Sequence, residues 1–201
     1  DDARGHLVRA LHLATLVDDV GAERKAMRRL GVLALHAGNL DRAYDLCSTA
    51  AEQPAKEALD ALPSLVLAGI TARLLGRQVD AEQWITRASK VLAEAPGKGA
   101  AALDRVGQSL LAVDRPDIAI ELFDEAVECA LLGGHSAQVE ASARGMVQAE
   151  LAFEEGADPP SSNMRRLLDR LTPVGDGHGK AEAIASARAS STRSEVIRYG
   201  S

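Results

Sequence analysis

Apolar residues recur at three- and four-residue spacings along most of this chain, and strict alternation of apolar with polar residues is rare. That period belongs to helices with one buried stripe and argues against strands. Residues 1–20 carry Leu7, Val8, Leu11 and Leu16 as such a stripe and read as a lone first helix. The next pattern runs from about Ala22 to Ala37 and is stopped by Gly38-Asn39, with a partner from Asp41 to Glu52 before Pro54. A third ends at Gly76, and Pro63, suited to a first turn, marks its start. Its partner covers Val79 to Glu94, ahead of Pro96-Gly97. Gly99 to Val113 comes next, then the turn Asp114-Arg115-Pro116 and a helix from Pro116 to near Leu132, broken by Gly133-Gly134. Ser136 to Phe153 is the last long pattern. Met164 to Leu171 and Ala181 to Ala189 are shorter, with a Gly-rich loop over Thr172 to Lys180 between them.

A second regularity overlies the first. Gly31, Gly69, Gly107 and Gly145 are 38 residues apart. Ala43, Ala81 and Ala119 keep that spacing, with Ala157 one step further, and so do Ala50, Ala88 and Ala126. A fixed period of this length signals stacked repeats, each a helical hairpin that buries its apolar face only against its neighbours. Glycine inside a helix costs about 1 kcal/mol relative to alanine, so its recurrence needs an offset. Close approach of the paired helices supplies one: Gly31 leaves room, Ala43 and Ala50 offer a flat partner surface, and Leu30, Leu40 and Tyr44 fill the flanks.

In the first hairpin these residues read Met27-x2-Leu30-Gly31-x2-Ala34…Ala43-x3-Cys47…Pro54. The second reads Leu65-x2-Ala68-Gly69-x2-Ala72…Ala81-x3-Ile85…Pro96, and the third Leu103-x2-Val106-Gly107-x2-Leu110…Ala119-x3-Phe123. This resembles the tetratricopeptide repeat, W-x2-L-G-x2-Y…A-x3-F…P, over roughly residues 24–130 and more loosely over 1–170. The unit here is 38 residues rather than about 34, and Met, Leu and Ala replace the large aromatics of the first helix. Long, Ala-rich units of this kind are similar to the repeat regions of multidomain bacterial regulators and of peptide-sensing cytoplasmic regulators. The resemblance implies an all-α, right-handed α-solenoid of about four helix-turn-helix hairpins over 1–171: a half repeat at 1–20, repeats at 22–56, 57–96 and 97–133, and a degenerate fourth at 134–171. Residues 172–201 are expected to form the loop, a weak helix and a tail.

The resemblance also implies a concave groove lined by the first helix of each hairpin. Carried over position by position, the lining is Lys25, Arg28 and Val32, then Val66, Ile70 and Arg73, then Asp104, Gln108 and Leu111. Such a surface suits an extended or helical peptide with an acidic part near Arg28 and Arg73. Val32 and Ala101 occupy positions where the carboxylate-clamp version of the family needs polar or basic side chains, so no clamp is expected.

A net charge of −6 does not suit a nucleic-acid-binding body. Two cysteines are too few for a disulfide framework and fit a reducing cytoplasm. The chain opens Asp1-Asp2-Ala3, without methionine and on a half repeat, so a fragment of a longer protein is expected.

No set of residues converges on chemistry. Cys47 and Cys129 stand among apolar neighbours and read as core. His6, His12, His36, His135 and His178 show no i, i+4 pair, and no HExxH occurs; no metal or cofactor is expected. Gly175 to Lys180 lacks the spacing and the Ser or Thr of a phosphate loop and reads as an irregular loop. Asp18-Asp19, Asp124-Glu125 and Glu154-Glu155 splay about 100° apart on a helix and read as solvated faces. Arg165, Arg166 and Arg170 form a small basic patch suited to pairing with carboxylates of the neighbouring unit. Trp84 reads as buried, with an exposed anchor as the alternative. The expected protein is therefore a non-catalytic protein- or peptide-binding scaffold. The alternatives are the effector-sensing region of a transcription regulator and the accessory module of a multidomain enzyme.

Overall fold

The structure, a computed structural model, describes residues 2–154 and, further on, residues 182, 184–186 and 188. The described residues are helical apart from short connections. Within residues 2–154 eight helices follow one another: α1 (Asp2–Leu16), α2 (Val20–His36), α3 (Leu40–Glu52), α4 (Ala58–Leu74), α5 (Gln78–Glu94), α6 (Pro96–Leu111), α7 (Pro116–Leu132) and α8 (Ser136–Glu154). The expected short helix over Met164 to Leu171, the glycine-rich loop and His178 lie outside the described residues. The described residues of the final predicted helix are helical, and Arg188 holds the Glu150 carboxylate at 2.8 and 2.9 Å.

The chain divides into two compact units, Asp1–Val91 and Leu92–Ser201, with the division inside the last turns of α5. In each unit the helices stack in chain order, the packing of an all-α helical-repeat solenoid. In unit 1, α1 packs on α2, α2 on α3 and α3 on α4, with α2 also touching α4. Met27, Leu30, Leu46 and Ala50 form a core there, covered by Leu7 and Leu11 of α1. In unit 2, α7 lies against both α6 and α8, which also touch each other.

The turn after each hairpin's first helix repeats with the chemistry. Asn39, Arg77 and Arg115 each donate a backbone N–H to the carbonyl five residues back, at 2.9, 2.9 and 3.0 Å. This is the six-residue closure of a Schellman motif, which needs one residue in the left-handed region. Gly38 and Gly76 fill that position at φ 74° and 75°, while Asp114 fills it in the third hairpin at φ 59°. The next helix then begins at once. The Asn39 side chain accepts the Arg42 N–H at 3.1 Å, and Pro116 occupies the first turn of α7, where a missing N–H costs nothing.

Pro63 does not start its helix. α4 begins five residues earlier, after Glu57, whose N–H is accepted by the Asp60 carboxylate at 3.4 Å. The proline forfeits a single early hydrogen bond, and its ring is buried within an unbroken buried run from Leu62 to Ala72. That run is apolar nearly all round, so α4 is the helix of unit 1 with neighbours on most sides.

The glycine series meets the partner helix. A methyl group built on Gly31 would lie 2.5 Å from Cys47 Sγ and 3.4 Å from the Ala43 carbonyl oxygen. On Gly69 it would meet Ile85 Cδ1 at 2.8 Å, and on Gly107 the Phe123 ring at 2.9 Å. Cys47, Ile85 and Phe123 are themselves 38 residues apart. A methyl group built on Gly145 of α8 would meet that same Phe123 ring, at 2.5 Å.

Candidate functional site

The nine residues of the expected groove fall into two classes. Lys25 is exposed, and Arg28 and Arg73 are half-buried. Val32 is only 8% exposed, and Val66 and Ile70 are fully buried. The expectation that these three aliphatic residues present a surface is corrected: they are core. The cause is the apolar circumference of α4, which leaves Val66 and Ile70 no open side. In unit 2, Gln108 is exposed and Leu111 half-buried. Asp104 is tied up rather than displayed. It accepts the Ser142 hydroxyl at 3.2 Å, and Ser142 in turn accepts from Gln138 Nε2 at 3.1 Å. Partial burial raises the Asp104 carboxyl above its ordinary value, while the Ser142 hydrogen bond and Arg105 pull the other way.

In unit 1, Lys25 and Arg73 have no hydrogen-bond or ion-pair partner among the described residues. Both stand on first helices of hairpins, Lys25 in the second turn of α2 and Arg73 in the last turn of α4.

The cysteines are inert. Burial pushes the Cys47 thiol up to about 12, with Arg28 only partly opposing it. Cys129 also rises to about 12, through burial and the nearby Glu125 and Glu128. A thiol at that value forms almost no thiolate at neutral pH and is a poor nucleophile. Trp84 is buried at 7% exposure, with the Arg87 guanidinium 4.7 Å over its ring, so it is not an exposed anchor. His135 caps the turn between α7 and α8 and packs directly against Gly97 at the start of α6. Among the described residues no group of three or more His, Cys, Asp or Glu could hold a metal ion. Among them too, no helix is long and apolar enough to cross a membrane.

Unit 1 contains a feature outside the repeat register: a cavity of about 170 Å³ where α1 meets α2 and the start of α3. Leu30 and Leu46 form its buried floor, and Leu33 and Ala34 a half-buried wall. Val8, half exposed, stands at its rim with Arg4, Asn39 and Arg42. The 38-residue pattern gives no hint of it, because the positions that follow Arg42 at that spacing are Asp80 and Ile118. The only sequence signal is an Arg one turn ahead of a Leu at the beginning of a helix.

No family model and no curated protein matches this chain. The helical-repeat architecture rests on the packing of the described helices.

Proposed function

We propose that this chain is a non-catalytic, peptide- or protein-binding scaffold of the tetratricopeptide-like type. The reading is supported by one observation above the others: a stack of helical hairpins that leaves Lys25 and Arg73 exposed or half-exposed, without counter-charges among the described residues, on the first helices of successive hairpins. Helical-repeat proteins use that series of helices as a recognition surface. Two cations on it, with Arg28 between them in sequence, favour an acidic segment of an extended or helical partner. With Val32, Val66 and Ile70 in the core, recognition at this surface is electrostatic more than hydrophobic. It therefore weakens with salt.

Selection of a phage-displayed random peptide library on the intact chain tests this reading. Acidic peptides are expected to be enriched, and their affinity is expected to fall about tenfold in the Lys25→Glu/Arg73→Glu variant. Enrichment of peptides without acidic character, or affinity unchanged by the double substitution, removes the proposal.

A further inference from the structure

The cavity between α1, α2 and α3 has the composition of a ligand site rather than of a packing defect. Its floor and wall are aliphatic: Leu30, Leu33, Ala34 and Leu46. Its rim carries two guanidinium groups, Arg4 and Arg42, and no carboxylate lines it. Neither arginine side chain has a hydrogen-bond or ion-pair partner among the described residues. The nearest acids on α3 do not serve: Asp41 faces Arg77 at 3.8 Å, and Asp45 is not part of the lining. Asn39 adds a donor. Its Oδ1 is occupied by the Arg42 N–H at 3.1 Å, which leaves its amide N–H groups without a partner among the described residues. Asn39 is also the cap of α3, so the positive end of that helix dipole lies at the rim.

An apolar hollow and a positive rim without counter-charges among the described residues call for opposite properties in one ligand. A simple anion would leave the aliphatic floor wet, and a hydrocarbon would leave the arginines unanswered. We propose that this cavity binds a small amphipathic carboxylate, its charge held by Arg4, Arg42 and the Asn39 amide and its short apolar body lying on Leu30, Leu33 and Leu46. The volume limits that body to about the size of one benzene ring or a short alkyl chain, since an apolar cavity of roughly 150 Å³ takes up benzene. Two sources share this chemistry: a free short-chain acid and the C-terminal residue of a peptide. The site is separate from the Lys25 and Arg73 surface and does not depend on it.

Titration with hexanoate, 1-hexanol, acetyl-Gly-Leu and acetyl-Gly-Leu-amide, followed by backbone amide NMR shifts, tests the proposal. Saturable hexanoate-induced shifts are expected at Leu33, Ala34, Asn39 and Leu46. Hexanoate affinity is expected to drop roughly tenfold in Arg4→Gln/Arg42→Gln, whose exposed side chains can be replaced without touching the core. Ala34→Leu, which fills the hollow, should abolish binding while leaving the helical circular dichroism unchanged. Tighter binding of acetyl-Gly-Leu than of hexanoate, with none of its amide, supports the proposal and points to a chain terminus. The reverse order supports it and points to a free acid. Hexanol binding as tightly as hexanoate, shifts located elsewhere, or no saturable shifts would each overturn it.

Discussion

Gly31 in unit 1 faces the lone sulfur of Cys47, whereas in unit 2 the Phe123 ring takes up the space left by two glycines, Gly107 and Gly145. The two seams stand at equivalent places in the repeat. They differ in how freely the opposing group can move. Cys47 has one rotatable atom, and Ile85 meets Gly69 with Cγ1 and Cδ1 of a rotatable aliphatic chain. Phe123 is fully buried and touched by both glycines, so its ring can retreat from neither. The size of the opposing side chain thus varies between repeats, while the absent Cβ is what the seams share.

The largest test of this contrast removes the opposing group. Phe123→Ala is expected to cost about 3–5 kcal/mol and Cys47→Ala only about 1–2 kcal/mol, measured by urea unfolding followed by circular dichroism. Equal losses would dissolve the contrast. Adding the missing methyl comes next. Gly145→Ala gains about 1 kcal/mol of helix propensity but drives a Cβ into a pinned ring, for a net loss of about 1–3 kcal/mol. Gly69→Ala meets Cγ1 and Cδ1 of Ile85, both at 2.8 Å, an aliphatic chain that yields more readily than a ring, so its net loss should be smaller, about 0–2 kcal/mol.

Two smaller effects separate the units further. Asp104 has a raised pKa in the folded state, so the folded chain holds its proton more tightly than the unfolded chain does. Its contribution is full below the unfolded carboxyl value of about 4 and is lost as pH rises through the raised folded value. Asp104→Asn should therefore gain stability relative to the parent over that window and keep the gain above it. The effect is modest, because the site is only half-buried and solvent screens it. A parent and variant with parallel stability–pH curves would refute the assignment. Last, Asp114 sits at φ 59° where the other two hairpins have glycine. Asp114→Gly should raise stability by about 0.5–1 kcal/mol, read as a higher urea midpoint.

The turns were the most legible part of the fold. Gly38 and Gly76 announced helix stops, and Asp114-Arg115-Pro116 a turn and a restart, because turn chemistry is local. Pro63 misled for the same reason. A proline is read as a helix start until the packed surface beyond it is known, and burial from Leu62 to Ala72 holds the extra turn in place. The groove was less legible. Positions carried over by motif identified Lys25 and Arg73 as surface, but Val66 and Ile70 follow the same motif into the core. The cavity under Arg4 and Arg42 was invisible, since it joins three helices whose contacts no period records.

The sequence by itself determined that this chain is helical, that its helices pair at a 38-residue period and that small residues mark where they touch. Those properties follow from side-chain volume and backbone preference, which act within a turn or two of the residue that carries them. Only the tertiary structure decided which side of each helix remains open. It buried three of the nine expected groove residues, drew Asp104 into a bond with Ser142 and left an apolar hollow beneath two arginines that have no partner among the described residues. Exposure depends on what the neighbouring helices cover, and that is a property of the stack rather than of any one helix.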